Sequence, residues 1–230
     1  MDSDNRNARI AGASFIISYL GLILGAFVSV SILEGDYLAL AYPNAIQLGI
    51  GMLLESLNGI AVIGIAVMLY PILKRYNEGI ALAYLWFRGV EALLSILGST
   101  KAIALVDLSH EYLQAGSPTD SYFETLGALV LADRHWHMEM LTLFFILGAF
   151  IFYYILYRTE ILPRYISVWG LVAVVLITAL NVILYLGFNP GLVLIVFALP
   201  IIANEIFLAI WLIIKGLNTS AMAADASLEV

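Results

Sequence analysis

Cysteine is absent from all 230 residues, which excludes disulfides and thiolate metal sites. Charge is scarce as well: 12% of the chain is Asp, Glu, Lys or Arg, against roughly a quarter in soluble globular domains. There is no basic stripe, so nucleic acid is excluded as a partner. No Ser-His-Asp elbow, phosphate loop or dinucleotide fingerprint occurs in a fitting context, and no repeat period is present. The net charge of −7 sits largely in short loops and tails and identifies no partner.

What fills the chain instead is hydrophobic sequence, 63% of it, in long uninterrupted blocks. About 20 apolar residues cross a bilayer as a helix, and blocks at about 10–32, 45–73, 80–104, 135–157, 164–187 and 191–214 meet that length. The expected fold is all-α: an integral membrane six-helix bundle, one domain over residues 1–217, with a flexible tail over 218–230. The closing "ASLEV" reads as a cloning remnant. The first block exceeds a signal-peptide core and lacks a cleavage site after it, so it is expected to stay as a span.

Breaks between blocks carry turn chemistry: "EGDYLALAYPN", "KRYNEG", "RTEILPR" and "GFNPG". The longest connection places Tyr122, Phe123, Leu126, Leu129 and Val130 at helical spacing against Asp120, Glu124 and Thr125. This predicts a short amphipathic helix between spans 3 and 4, at the membrane surface or capping the bundle. Arg6, Arg9, Lys74, Arg75, Arg158, Arg164 and Lys215 fall on one side of the six-span topology, and most loop acids fall on the other. The positive-inside rule then predicts cytoplasmic termini in a bacterial cytoplasmic (inner) membrane.

Inside this hydrocarbon lie charges that call for an explanation. Arg88 and Glu91 fall near the middle of the third span, Glu55 and Asn58 in the second, and Asn204 and Glu205 in the sixth. A charge at the bilayer centre costs roughly 2.5–3.5 kcal/mol or more, so these groups are expected to turn inward. Tyr84, Arg88, Glu91 and Ser95 step by four, three and four residues and form one helical stripe. Gly51 and Gly59 flank Glu55 and Asn58, Gly21 and Gly25 form a close-packing pair, and Pro200 precedes Asn204 by four residues.

Three carboxyls, Glu55, Glu91 and Glu205, face one guanidinium in this reading, so a bound proton, a bound cation or water must balance the excess. Glu55, Asn58, Tyr84, Arg88, Glu91, Ser95, Asn204 and Glu205 are therefore the candidate ligand-binding residues. The competing reading makes them hydrogen-bonded contacts between helices.

"ADRHWHMEML" sets His135 and Glu139 four residues apart on one face, with His137 turned elsewhere. A divalent metal such as zinc would need a third ligand, with Glu91 or Asp107 as candidates, and no other cofactor is suggested. The zinc spacing of two histidines four apart is missing. Trp136 and the run "FYYILYR" read as interfacial aromatics.

"RIAGASFIISYLGLILG", "LYPILKRYNEGIALAYLWFRGVEALL", "LYRTEILPRYISVWGL" and "ALPIIANEIFLAIWLIIKG" together resemble a bacterial membrane family catalogued only as domain of unknown function 4386. The resemblance covers nearly the whole chain. It implies a six-span bacterial membrane protein with Arg88, Glu91 and Glu205 in family-like places, and it supplies no chemistry.

Three functions remain open on the sequence. One is binding or transport of a small molecule, lipid or ion at the polar site. Another is an intramembrane enzyme on a lipid or isoprenoid, metal-dependent in one version. The last is a structural or regulatory membrane partner. Membrane lipids are the expected partners in each case.

Overall fold

The computed structural model describes residues 3–119, 122–188 and 191–218. Their regular elements are α-helices: α1 (Ser3–Leu33), α2 (Tyr37–Leu40), α3 (Ala45–Leu73), α4 (Glu78–Gln114), α5 (Tyr122–Thr159), α6 (Arg164–Tyr185) and α7 (Val193–Ile214). Six of these, all but α2, are long and apolar enough to cross a membrane. The chain is a multi-pass helical membrane bundle. The tail over 219–230 and the Asn-Pro step of "GFNPG" lie outside the described residues.

Side-chain chemistry marks the helix starts. Asp36 opens α2, its carboxylate accepting from Ala39 N at 3.2 Å. Asn77 does the same for α4, with Ile80 N at 2.9 Å, and Pro163 precedes α6. Gly187, at φ 79°, closes α6, and Phe188 N returns to Ile183 O at 3.1 Å. That backbone is open to glycine and costly for other residues.

Three helices run longer than expected: α1 starts already at Ser3, and α4 and α5 extend further still. The amphipathic segment after residue 122 is helical, but it is not a separate short helix; it forms the first turns of the 38-residue α5. The reason is local: from Tyr122 to Leu147 there is no proline and a single glycine, Gly127. At Gly127 the missing side chain is replaced by the ring of Tyr37, packed from α2. The helix α4 likewise continues to Gln114. At about 1.5 Å per residue, α4 and α5 reach roughly 55 Å, well beyond a hydrocarbon core of about 30 Å.

The chain forms two compact units. Unit 1 comprises Met1–Ile16, Ala61–Glu91 and Thr142–Val230; unit 2 comprises Ile17–Ile60 and Ala92–Leu141. The long helices α1, α3, α4 and α5 contribute segments to both, while α6 and α7 belong wholly to unit 1. Unit 1 holds the larger apolar core, built on Phe15, Leu69, Phe152, Leu156, Leu208 and Leu212. Asp4 fixes the start of α1 there through a two-pronged pair with Arg75, at 2.6 and 2.8 Å.

Unit 2 has a small apolar core, Ile32, Ala41, Leu48, Ala102 and Leu105, and relies on close backbone approach. A Cβ on Gly21 would stand 2.6 Å from Leu54 O, and one on Gly25 would stand 2.9 Å from both Glu55 N and Gly51 O. The glycines read from the sequence thus bring α1 and α3 into contact beside Glu55 and Asn58. Large apolar side chains such as Phe27 (75% exposed) and Ile46 (83% exposed) look outward, as lipid contact requires.

Replacing Gly21 by Ala is expected to cost about 1–3 kcal/mol, because backbone rather than a yielding side chain occupies the space. Gly49 has nothing near its would-be Cβ, so Gly49→Ala serves as the matched control with stability unchanged or slightly raised. Thermal unfolding of both variants in detergent measures the difference.

Candidate functional site

In unit 1, α4 carries Tyr84, Arg88 and Glu91 on one face, each at most 4% exposed. Arg88 Nη1 stands 3.0 Å from Glu91 Oε2, and the guanidinium lies over the Phe145 ring, 5.6 Å from its centroid. Gly148 leaves the room for this side chain; a Cβ there would sit 3.1 Å from Arg88 Cδ. From α7, one turn past Pro200, come Asn204 and Glu205, both buried. Asn204 Nδ2 donates to Ile166 O at 3.1 Å.

Tyr153 of α5 completes the group, fully buried with its ring against Gly170. The charges of Arg88 and Glu205 both reach Tyr84, Glu91 and Tyr153. Tyr84 Oη, Tyr153 Oη and Asn204 Oδ1 are buried with no hydrogen-bond partner among the described residues. Buried polar atoms are nearly always satisfied by protein or water, and an orphan costs about 1–3 kcal/mol. Here three such atoms lie in the same unit.

In unit 2 the polar groups close on themselves. Both carboxylate oxygens of Glu55 accept from Arg134 Nη2, at 2.6 and 2.8 Å, and Arg134 Nη1 donates to Gly98 O at 2.9 Å. Ser18 Oγ donates to Asn58 Oδ1 at 2.5 Å, and Asn58 Nδ2 donates to Ser95 Oγ at 3.0 Å. Ser56 and Ser99 pair at 2.9 Å. The result is a satisfied network joining α1, α3, α4 and α5.

The candidate residues therefore divide. Tyr84, Arg88, Glu91, Asn204 and Glu205 gather in unit 1, and Glu55, Asn58 and Ser95 gather in unit 2. Glu55 has a guanidinium of its own, so the imbalance narrows to Glu91 and Glu205 around Arg88. Sequence reasoning left out Arg134 and Tyr153. Arg134 enters the interior only because α5 begins at Tyr122, and an unbroken helical stretch through "ADRHW" was the available signal. Tyr153 sits in "FYYILYR", where Tyr154 and Tyr157 stay 36% and 42% exposed while Tyr153 turns inward.

A cleft of about 400 Å³ in unit 2 is lined by Ser29, Glu34, Arg134, His135 and Met138 together with apolar residues of α1 and Leu131. His137 Nδ1 meets Asp133 O at 2.8 Å, and Asp133 pairs with Lys101 at 2.6 Å. Among the described residues no group of three or more His, Asp or Glu could hold a metal, so His135 and Glu139 find no third ligand there.

A family model described as Domain of unknown function (DUF4386) matches residues 10–216. The chain belongs to the DUF4386 family. No curated protein and no solved structure matches it. What this DUF4386 protein does must be argued from its own side chains.

Arg134→Gln strands the Glu55 carboxylate and is expected to cost about 3–5 kcal/mol of stability. The double variant Glu55→Gln/Arg134→Gln removes both charges and should recover much of that loss. Thermal unfolding of the single and double variants checks the order.

Proposed function

We propose that this DUF4386 protein binds, and by extension transports, a small cation, a proton or a monovalent metal ion, at the Arg88–Glu91–Glu205 cluster of unit 1. One observation carries the reading: two carboxylates, Glu91 and Glu205, are buried in the same unit as one guanidinium, Arg88, amid tyrosine and asparagine oxygens that lack partners among the described residues. Fully ionised, these three groups carry a net charge of −1 in a buried setting, which low polarity disfavours and a positive species would relieve. Tyr84 Oη, Tyr153 Oη and Asn204 Oδ1 are oxygen donors of the hard kind that proton and alkali cations use.

The same proposal places the protein in the cytoplasmic membrane with both termini in the cytoplasm. Its support is the charge distribution: Arg6, Arg9, Lys74, Arg75, Arg158, Arg164 and Lys215 all belong to unit 1, and unit 2 has only Lys101 and Arg134.

The test uses purified protein in nanodiscs, titrated with Na⁺ and K⁺ at several pH values while proton exchange and thermal stability are followed. The expected result is uptake of about one positive charge per chain. It disappears in Glu91→Gln and in Glu205→Gln and survives in Glu55→Gln, whose carboxylate is already paired. Absence of uptake in the parent protein, or uptake unaffected by both variants, overturns the proposal and leaves the cluster as a contact between helices.

A further inference from the structure

Where α5 hands over to α6, the chain makes the turn "TEILPR". Glu160 takes a left-handed backbone (φ 50°), and its carboxylate accepts from Arg164. Ile161 and Leu162 are buried in the unit 1 core, which pins the turn in place. Pro163 starts α6 without a side-chain cap. The end of α7 closes on the same turn: Asn218 N donates to Ile161 O at 2.9 Å, and Leu217 N to Asn5 Oδ1 at 3.1 Å. Gly216, at φ 73°, allows that reversal.

These two ends line an open cavity of about 360 Å³ whose walls include Glu160, Arg164, Trp211, Lys215 and Asn218. Lys215 makes no ion pair among the described residues. Next to the cavity runs an aromatic ladder along α6 and α7. Tyr165 meets Trp211 edge-on at 6.4 Å, Trp211 meets Phe207 at 6.2 Å, and Phe207 meets Trp169 at 6.0 Å. Tyr165 is 55% exposed on the surface of a helix that spans the membrane.

We propose that this cavity binds the phosphodiester headgroup of an anionic phospholipid. Arg164 and Lys215 supply the cationic donors, and the aromatic ladder seats the glycerol and upper acyl chains. The charges match: Glu160 offsets one of the two cations, leaving a single positive charge for a single phosphodiester. An ammonium with no protein partner beside a guanidinium is the chemistry that captures phosphate oxygens. Basic pockets between membrane helices hold lipid headgroups, and tyrosine and tryptophan rings prefer the same headgroup depth. Free phosphate would use the cations but gain nothing from the ladder, so the membrane lipid is the better occupant.

Native mass spectrometry of the full chain in detergent tests this with phosphatidylglycerol, phosphatidylcholine and inorganic phosphate as probes. Phosphatidylglycerol is expected to be retained over phosphatidylcholine. Lys215→Gln and Arg164→Gln should each weaken that retention about fivefold, the effect of one basic side chain near a headgroup. Lys215→Arg should preserve it, and Lys74→Gln, outside the cavity, should leave it unchanged. Equal retention of the two lipids, or equal loss in Lys74→Gln, overturns the site. Inorganic phosphate binding without any lipid preference overturns the lipid assignment.

Discussion

The fold and its polar interior both follow from one constraint, the cost of leaving charge or an unpaired backbone group in hydrocarbon. Backbone groups meet it by staying helical across every span, since a helix satisfies its own donors and acceptors. Side chains meet it by turning inward, and the inward-turning groups then decide how the helices pack. Glu55 illustrates the sequence of causes. Its charge needs a partner, Arg134 supplies one, and Arg134 in turn reaches Gly98 O. Gly25 lets α1 approach close enough to shield the pair's carboxylate stem.

The two polar clusters solve the same problem differently. In unit 2 donors and acceptors are matched almost one to one: a carboxylate with a guanidinium, an amide with two hydroxyls, a serine with a serine. Such a network rigidifies the packing and helps specify it. In unit 1 several buried polar atoms are left over among the described residues. Arg88 serves Glu91 with Glu205 close by, and the oxygens of Tyr84, Tyr153 and Asn204 add acceptor capacity that no neighbour uses. The cation proposed for this cluster would draw on those oxygens.

Much of this was legible in the sequence, for reasons that can be named. The second span was read at 45–73 and the helix α3 is Ala45–Leu73, because strong turn residues flank a run with no ambiguity of period. The stripe of Tyr84, Arg88 and Glu91 was legible because helical spacing alone puts those side chains on one face. The fourth span was drawn too short because hydropathy ends where Asp133 and Arg134 begin, although a helix does not. Hydropathy reports where lipid is, while helix continuity depends on breakers, and "LADRHWHM" contains none. The four-residue helix α2 left no periodic trace, since it is held by Asp36 and by packing rather than by pattern.

Pairing was the part the sequence could not supply. Spacing along one helix says which residues share a face, and it is silent on which face meets which. Counting Glu55 with Glu91 and Glu205 overstated the charge imbalance, because the guanidinium that neutralises Glu55 arrives from the connection between spans 3 and 4, read as ending at the outer edge of the bundle. Once Arg134 is assigned, the remaining imbalance falls to a single charge around Arg88. That difference matters chemically. An excess of two charges would call for two protons, two monovalent ions or one divalent ion, whereas an excess of one is met by a single proton or alkali ion. The correct partner for one buried glutamate thus halves the positive charge that the proposed site would have to take up.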